Sequence, residues 1–324
     1  FKPDFVNIKE RTNATTNPLY DSTRGTTKLI TTVATQAELT QSPTPGFTAF
    51  GTDGFTVVYP NTGDYYNNRS GETYVAWCQR ANGGTTSTND SGSIDSTVQV
   101  DPSGGFSIVK YVGANNSWSN PATIGHGLSS APDCILLKAL GAADQWECFF
   151  SGVGNGGGSN PASNSLALDT SAALYTNQSY KTWGGTMPTS SVFTVDGNNA
   201  NGTETEGIIA YCFANTEGFI KSGSYEGNGN ADGAFVYTGF RPSFILAKSI
   251  DSAANWLIFD NKRLGYNVDN NSVSANDNGA ETTTDMIDIL SNGFKLRIAT
   301  DPNVAETYMY LAMAENPFQY ATAR

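Results

Sequence analysis

The strongest constraint on this chain is an internal repeat. A proline followed by an apolar run ending in lysine occurs at Pro3–Lys9, Pro132–Lys138 and Pro242–Lys248. A second apolar run follows each after a polar turn, at Leu19–Asp21, Trp146–Phe150 and Trp256–Asp260. A third, rich in Gly and Phe, falls at Asp53–Val57, Ser191–Val195 and Asn292–Leu296, and a fourth at Tyr74–Cys78, Ile208–Cys212 and Met309–Met313. Self-similarity in a fixed order is the signature of a chain built from units that stack. The boundaries this implies are unit 1 over residues 1–81, a connector plus unit 2 over 82–214, and a connector plus unit 3 over 215–324. The two connectors resemble each other, Gly105-Phe106 to Gly113 matching Gly218-Phe219 to Gly227, and each is expected to add two strands. Phe240-Arg241-Pro242 matches Phe1-Lys2-Pro3, so unit 1 is expected to be truncated at its N-terminus relative to the repeat, with a connector upstream.

The local pattern is that of strands. Short runs of Val, Ile, Phe, Tyr and Thr, bounded by Asn-Gly, Asp-Gly and Gly-Gly, recur throughout, and helical periodicity is scarce. The first two runs of each unit read as a hairpin, and the Asp-Gly and Asn-Gly pairs suit tight turns because both residues accept positive φ. The expected fold is all-β, with tandem β-sandwich-like units joined by Gly/Asn/Thr-rich β connectors. Charged residues make up 15% of the chain, against about 25% in an average domain. Its 17 Phe, 15 Tyr and 5 Trp nevertheless supply enough apolar surface for a packed interior.

A net charge of −12 argues against nucleic acid as a partner, since no basic patch is available to displace counterions. The apolar runs are far shorter than the ~20 residues that span a bilayer, so no membrane partner is expected. His126 is the single histidine, flanked by glycines where the other connector has Thr238, and it reads as a turn or interface residue. Hydrolase triads and zinc sites need more histidines or a Cys/His cluster. Glycosidase chemistry needs two carboxylates flanking a sugar. The acids available, Asp21, Asp53, Asp260 and Glu315, are mostly turn and strand-end residues that recur with the repeat, so no enzyme is expected.

Cys78 and Cys212 fall where unit 3 has Ala312, Cys134 replaces Phe5 and Phe244, and Cys148 replaces Ile258. All four read as core thiols, with Cys134 and Cys148, on facing strands of one hairpin, the one pair placed for a disulfide. No cofactor is expected. Calcium is the one metal the acidic Asn/Gly loops could attract, and Glu226, Asn228, Asn230 and Asp232 are its weak candidates. Trp118, Trp183, Tyr65, Tyr66 and Tyr180 lie in polar segments outside the strands, as candidates for glycan contact or packing between subunits.

One set of motifs resembles a known repeat domain. Tyr74-Val75-Ala76-Trp77-Cys78, Gly125-His126-Gly127-Leu128, Gly239-Phe240-Arg241-Pro242 and Ala314-Glu315-Asn316-Pro317-Phe318 are similar to a domain of virion proteins of marine tailed bacteriophages, often labelled tail-fibre-like or structural. The resemblance implies a virion-surface or appendage protein. Its partners would be copies of itself, other virion proteins and a host-surface glycan or protein, and it supplies no catalytic residues to carry over. Alternatives are a glycan-binding fibre that cleaves polysaccharide, a capsid decoration protein and a subunit of a cellular extracellular filament.

Overall fold

The structure is a computed structural model that describes residues 1–41, 46–59, 67–114, 117–153, 160–176, 182–203, 205–263, 267 and 271–317. The first third of the chain forms β1 (Phe5–Glu10), β2 (Pro18–Asp21), β3 (Lys28–Thr31), β4 (Leu39–Thr40), β5 (Phe47–Phe50), β6 (Phe55–Val57) and β7 (Tyr74–Gln79). The middle forms β8 (Ser87–Asn89), β9 (Ser96–Val100), β10 (Phe106–Tyr111), β11 (Ala122–Gly125), β12 (Cys134–Ala139), β13 (Glu147–Phe150), β14 (Val192–Val195) and β15 (Ile208–Phe213). The last third forms β16 (Ile220–Glu226), β17 (Phe235–Tyr237), β18 (Pro242–Ser249), β19 (Leu257–Asp260), β20 (Val273–Ser274), β21 (Ile287–Leu290), β22 (Gly293–Leu296) and β23 (Thr307–Ala314). The described helical structure is one short α-helix, Asn198–Asn201, and a 3₁₀ turn, Pro161–Ser163. The protein is all-β, as its alternating runs predict.

These strands make three large antiparallel sheets. The first has the order β4-β3-β2-β1-β7, the second β13-β12-β15-β10-β9-β8, and the third β16-β23-β18-β19-β20. Three small sheets accompany them: β5-β6, β11-β14 and β17-β22-β21. The expected hairpins are present, with β1 against β2, β12 against β13 and β18 against β19. Equivalent registers recur, Phe5 standing opposite Asp21, Cys134 opposite Phe150 and Phe244 opposite Asp260. Four strands of the second sheet run β10-β15-β12-β13, and four of the third run β16-β23-β18-β19. In the first sheet β7-β1-β2 matches the last three of these, and β7 is its outer strand.

The inner strands of the second and third sheets are covered on both faces, which explains why β12, β15 and β23 read as nearly continuous apolar runs. Side chains alternate across a strand. In β15, Ile209, Tyr211 and Phe213 point into one cluster, while Ile208, Ala210 and Cys212 point into another. In β23, Met309, Leu311 and Met313 alternate in the same way with Tyr308, Tyr310, Ala312 and Ala314. The outer clusters lie between a large sheet and its small partner: Val6, Ile8, Tyr20 and Phe47 in the first, Ile124, Ile135 and Phe193 in the second, Ile245, Phe259 and Phe294 in the third. The remaining faces meet in one central cluster fed by all three large sheets, including Leu19, Leu136, Tyr211, Trp256 and Leu311.

Double burial makes a specific prediction for β12. Ile135 faces an outer cluster and Leu136 the central one, and both are buried. Ile135→Ala and Leu136→Ala should each destabilise by about 2–5 kcal/mol in chemical unfolding. A near-neutral result for either would mean that one face of the sheet is solvated.

Candidate functional site

The most elaborate polar chemistry among the described residues lies in the seams where the large sheets meet. At the end of β2, Asp21 accepts from the backbone N–H of Thr23 and Arg24 through Oδ1. Its Oδ2 accepts from Arg24 Nε at 2.5 Å and from Tyr211 Oη, on the second sheet, at 2.7 Å. Arg24 also donates to Leu19 O and pairs with Glu38 at 3.2 Å. The third sheet repeats this arrangement. Asp260 accepts from the N–H of Lys262 and Arg263, from Arg263 Nε at 2.6 Å, and from Trp77 Nε1, on the first sheet, at 3.1 Å. Arg263 donates to Ile258 O and pairs with Glu281 at 3.0 Å, while its guanidinium lies 5.8 Å from the Trp77 ring centre. All four groups of the two Asp–Arg pairs are almost wholly buried. A strand-end carboxylate needs the turn's N–H groups and the Arg fork together, because a buried charge is tolerated only when paired and hydrogen-bonded.

The second sheet fills the same position with hydrocarbon. By register Phe150 stands where Asp21 and Asp260 stand, and Val153 follows at the spacing of Arg24 and Arg263. Both are buried in the central cluster, with Phe150 6.2 Å from Trp256 of the third sheet. On β23, Leu311 occupies the place that Trp77 and Tyr211 hold on β7 and β15. Acid, base and neighbouring donor are therefore present together in two seams and absent together in the third. The second hairpin thus departs from the other two at Phe150; of the Gly152–Ser159 tract, residues 154–159 lie outside the described residues.

A second set of bonds ties the sheets in a ring. Trp146 Nε1 of the second sheet donates to Thr31 O of the first at 2.9 Å, and Trp256 Nε1 of the third donates to Ala167 O at 3.0 Å. Asn17, two residues before Leu19 as Trp256 is two before Ile258, donates to Ala275 O at 3.1 Å.

The terminal lysines of the repeated motif share one role that the sequence alone did not reveal. Lys9 donates to Thr15 O and Asp277 O, Lys138 to Ala139 O and Ala142 O, and Lys248 to Ser249 O and Ser252 O. Burial lowers each ammonium to about 8, against weaker support from Asp277, Asp169 and Asp301 respectively. Glu147 was likewise missed: it is buried and accepts from Ser165, Thr182, Asn199 and Gln145. Its position is apolar in the other hairpins, as Pro18 and Leu257, so the repeat comparison carries no signal for it.

The residues singled out from sequence are dispersed. Trp183 is a correction: it is buried against Phe149 in an outer cluster and is not a surface aromatic. Trp118 is half-buried, and a Cβ at Gly197 would collide with its ring. Tyr65, Tyr66 and Tyr180 lie outside the described residues. The Cys134–Cys148 bridge is also corrected, because all four cysteines are free and the register sets Cys134 opposite Phe150 and Cys148 opposite Leu136. Burial raises the thiols, Cys78 to about 11. His126 is buried, with Nε2 donating to Thr189 O and Nδ1 accepting from Leu128 N–H; desolvation lowers its pKa. Thr238 Oγ1 likewise accepts from Phe240 N–H two residues on, so both close the same kind of turn.

In the candidate calcium loop the oxygens are already engaged. Asn228 Oδ1 accepts from Asn230 N–H and Asn303 Nδ2, Asn230 Oδ1 accepts from Asp232 N–H, and Asp232 pairs with Lys295 at 2.9 Å. Glu226 accepts from Thr307 Oγ1. Among the described residues no group of three or more His, Cys, Asp or Glu is placed to hold a metal ion. One open depression, about 680 Å³, carries Asp95 and Lys110 beside Ser93, Thr97 and Thr205. Of the four acids weighed for glycosidase chemistry, Asp21 and Asp260 are consumed in the seams and Glu315 pairs with Arg241 and Lys262, while Asp53 is exposed. No described helix is long and apolar enough to cross a membrane.

Fold and seams together define an all-β protein of antiparallel sheets in which two buried Asp–Arg pairs bond a donor on the neighbouring sheet. The chain belongs to the family described as a domain of unknown function, DUF7483, which matches residues 1–317. No curated protein and no solved structure matches it.

Two predictions follow from the seams and the lysines. Arg263→Met, which strands a buried carboxylate, should destabilise by about 3–5 kcal/mol. Converting the seam to the apolar set of the second sheet, with Asp260→Phe, Arg263→Val and Trp77→Leu together, should recover most of that loss in urea unfolding. The lysines act on pH dependence: with folded values near 8 and an ordinary value of 10.5, the unfolded chain holds protons that the folded chain has released. Stability should therefore rise from about pH 8 to about pH 9, and level off where the buried thiols begin to oppose it. Replacing Lys138 and Lys248 with Met should remove most of the rise in denaturation midpoint measured across that window.

Proposed function

We propose that the chain is a tandem array of three related β-sandwich-like units and acts as a non-enzymatic structural protein of a bacteriophage virion surface or tail appendage. It would work by self-assembly and by recognition of a host surface. The observation that carries this reading is how the polar side chains are used. The strand-end acids, their arginines and the three lysines satisfy one another or nearby carbonyls within the packing. An enzyme leaves its acids and bases facing a cleft that substrate can enter. A scaffold spends them on fixing sheet against sheet. The matching strand orders of the second and third sheets, and of the part of the first that has counterparts, support the tandem reading. The virion assignment rests on the motif resemblance, with which an ion-poor surface of Asn, Ser, Thr and Gly is compatible.

One observation favours recognition. Phe235 and Tyr237 both project into solvent from β17, 47% and 64% exposed, with Val236 buried between them. Paired exposed rings on a rigid strand suit stacking on a sugar face or a protein partner.

The reading is tested by proteomics and immunogold labelling of purified particles, with the protein expected on the particle surface. In parallel, a glycan array with a cleavage readout should show binding that falls at least tenfold in Phe235→Ala/Tyr237→Ala. Labelling confined to cellular fractions would overturn the virion assignment, and release of shortened glycan would overturn the non-enzymatic one.

A further inference from the structure

β7 is an apolar edge strand whose counterparts are interior strands. In the second sheet β15 lies between β12 and β10, and all six of its residues are buried. In the third, β23 lies between β18 and β16, and seven of its eight residues are buried. β7 carries a comparable run, Tyr-Val-Ala-Trp-Cys-Gln, and pairs with β1 over its whole length, yet all six residues are only half-buried. Among the described residues no strand pairs with its outer side.

The hydrogen-bonding groups on that side can be assigned. Antiparallel strands direct the N–H and C=O of alternate residues to opposite neighbours. Asp4 N–H donates to Gln79 O and Arg11 N–H to Thr73 O, so Thr73, Val75, Trp77 and Gln79 face β1. Tyr74, Ala76, Cys78 and Arg80 therefore direct theirs outward. At the position of Arg80, Ala214 N–H donates to Gly105 O, just before β10, and Ala314 N–H donates to Phe219 O, just before β16. In both of the other sheets the equivalent edge is thus closed by an antiparallel strand that starts at a Gly-Phe step and runs to Tyr111 in β10 or to Tyr225-Glu226 in β16.

We propose that β7 is a strand-acceptor site, and that its occupant is one antiparallel strand of the β10/β16 type supplied from outside residues 1–324. Its register would be that of β10 on β15. The residues at the places of Phe106 and Ile108 would enter the central cluster, and those at the places of Val109 and Tyr111 would cover the first sheet's outer cluster. Main-chain bonds supply affinity in this mode of recognition, and alternate side chains supply selectivity. An apolar edge of six residues left bare would otherwise invite indiscriminate pairing. The identity of the strand rests on the tandem reading proposed above, whereas the edge left unpaired among the described residues is a feature of β7 itself.

The test is amide hydrogen exchange on the intact chain, with and without a synthetic peptide of sequence Gly104–Gly113. Saturating peptide should slow exchange at Ala76, Cys78 and Arg80 by tenfold or more. The same peptide N-methylated at the places of Ser107 and Val109, whose N–H groups would face β7, should have no effect. Equal protection by the methylated or a scrambled peptide, or no protection at β7, would overturn the proposal. So would concentration-dependent protection of the same amides without peptide, because the occupant would then be a second copy of the chain. A peptide failure accompanied by the expected apolar rescue in the Asp260 seam would refute the acceptor while leaving the tandem reading intact.

Discussion

Everything in this protein depends on a central apolar cluster to which three sheets each contribute one face. A sheet that gives one face to a common centre and the other to a partner sheet has no solvated side, so its strands cannot alternate polar with apolar residues. This is why β12, β15 and β23 are nearly continuous hydrocarbon. It also concentrates the polar problem at the strand ends, where turns must leave a water-free region. The Asp–Arg seams, the indole donors and the buried lysines are three answers to that one problem.

The seams show two solutions to one steric position. Two use acid, base and a donor from the neighbouring sheet; the third uses Phe150, Val153 and Leu311. Intermediate combinations would be worse than either, since Phe150 could not accept from a tyrosine and a leucine could not satisfy a carboxylate. Acid and base lie three residues apart, while the donor lies on a different sheet and 190 or 183 residues away, yet the three change as a unit. Burial of unpaired polar groups supplies the reason. These contacts are private to the interior, and they give the acids a reason to exist that does not involve a substrate.

Much was legible before any coordinates. Although the first connector carries two further strands, β8 and β9, where two in all were expected, the hairpins β1/β2, β12/β13 and β18/β19, the closing strands and the connector strands β10, β11, β16 and β17 fall where the repeated motifs place them. So do the interior positions of the cysteines: their equivalence to Phe, Ile and Ala marked them as core, and three of the four are buried. Trp183 was misjudged because its flanks are polar, Thr182 and Gly184, and a one-dimensional reading cannot see that the chain turns there beneath Phe149. The Cys134–Cys148 pair failed for a reason of register: hairpin membership brings strands together, but a two-residue offset separates the sulfurs.

The sequence by itself determined the secondary-structure class, most of the order of strands along the chain and the presence of a single histidine, because these depend on residue type and spacing. Only the tertiary structure decided which sheet touches which. Tyr211 bonds Asp21 across 190 residues and Trp77 bonds Asp260 across 183, and nothing local to either motif encodes that pairing. The closing strands illustrate the difference most directly. β7, β15 and β23 look alike as text, and two of them are interior while one is an edge, since burial is a property of neighbours and not of the strand.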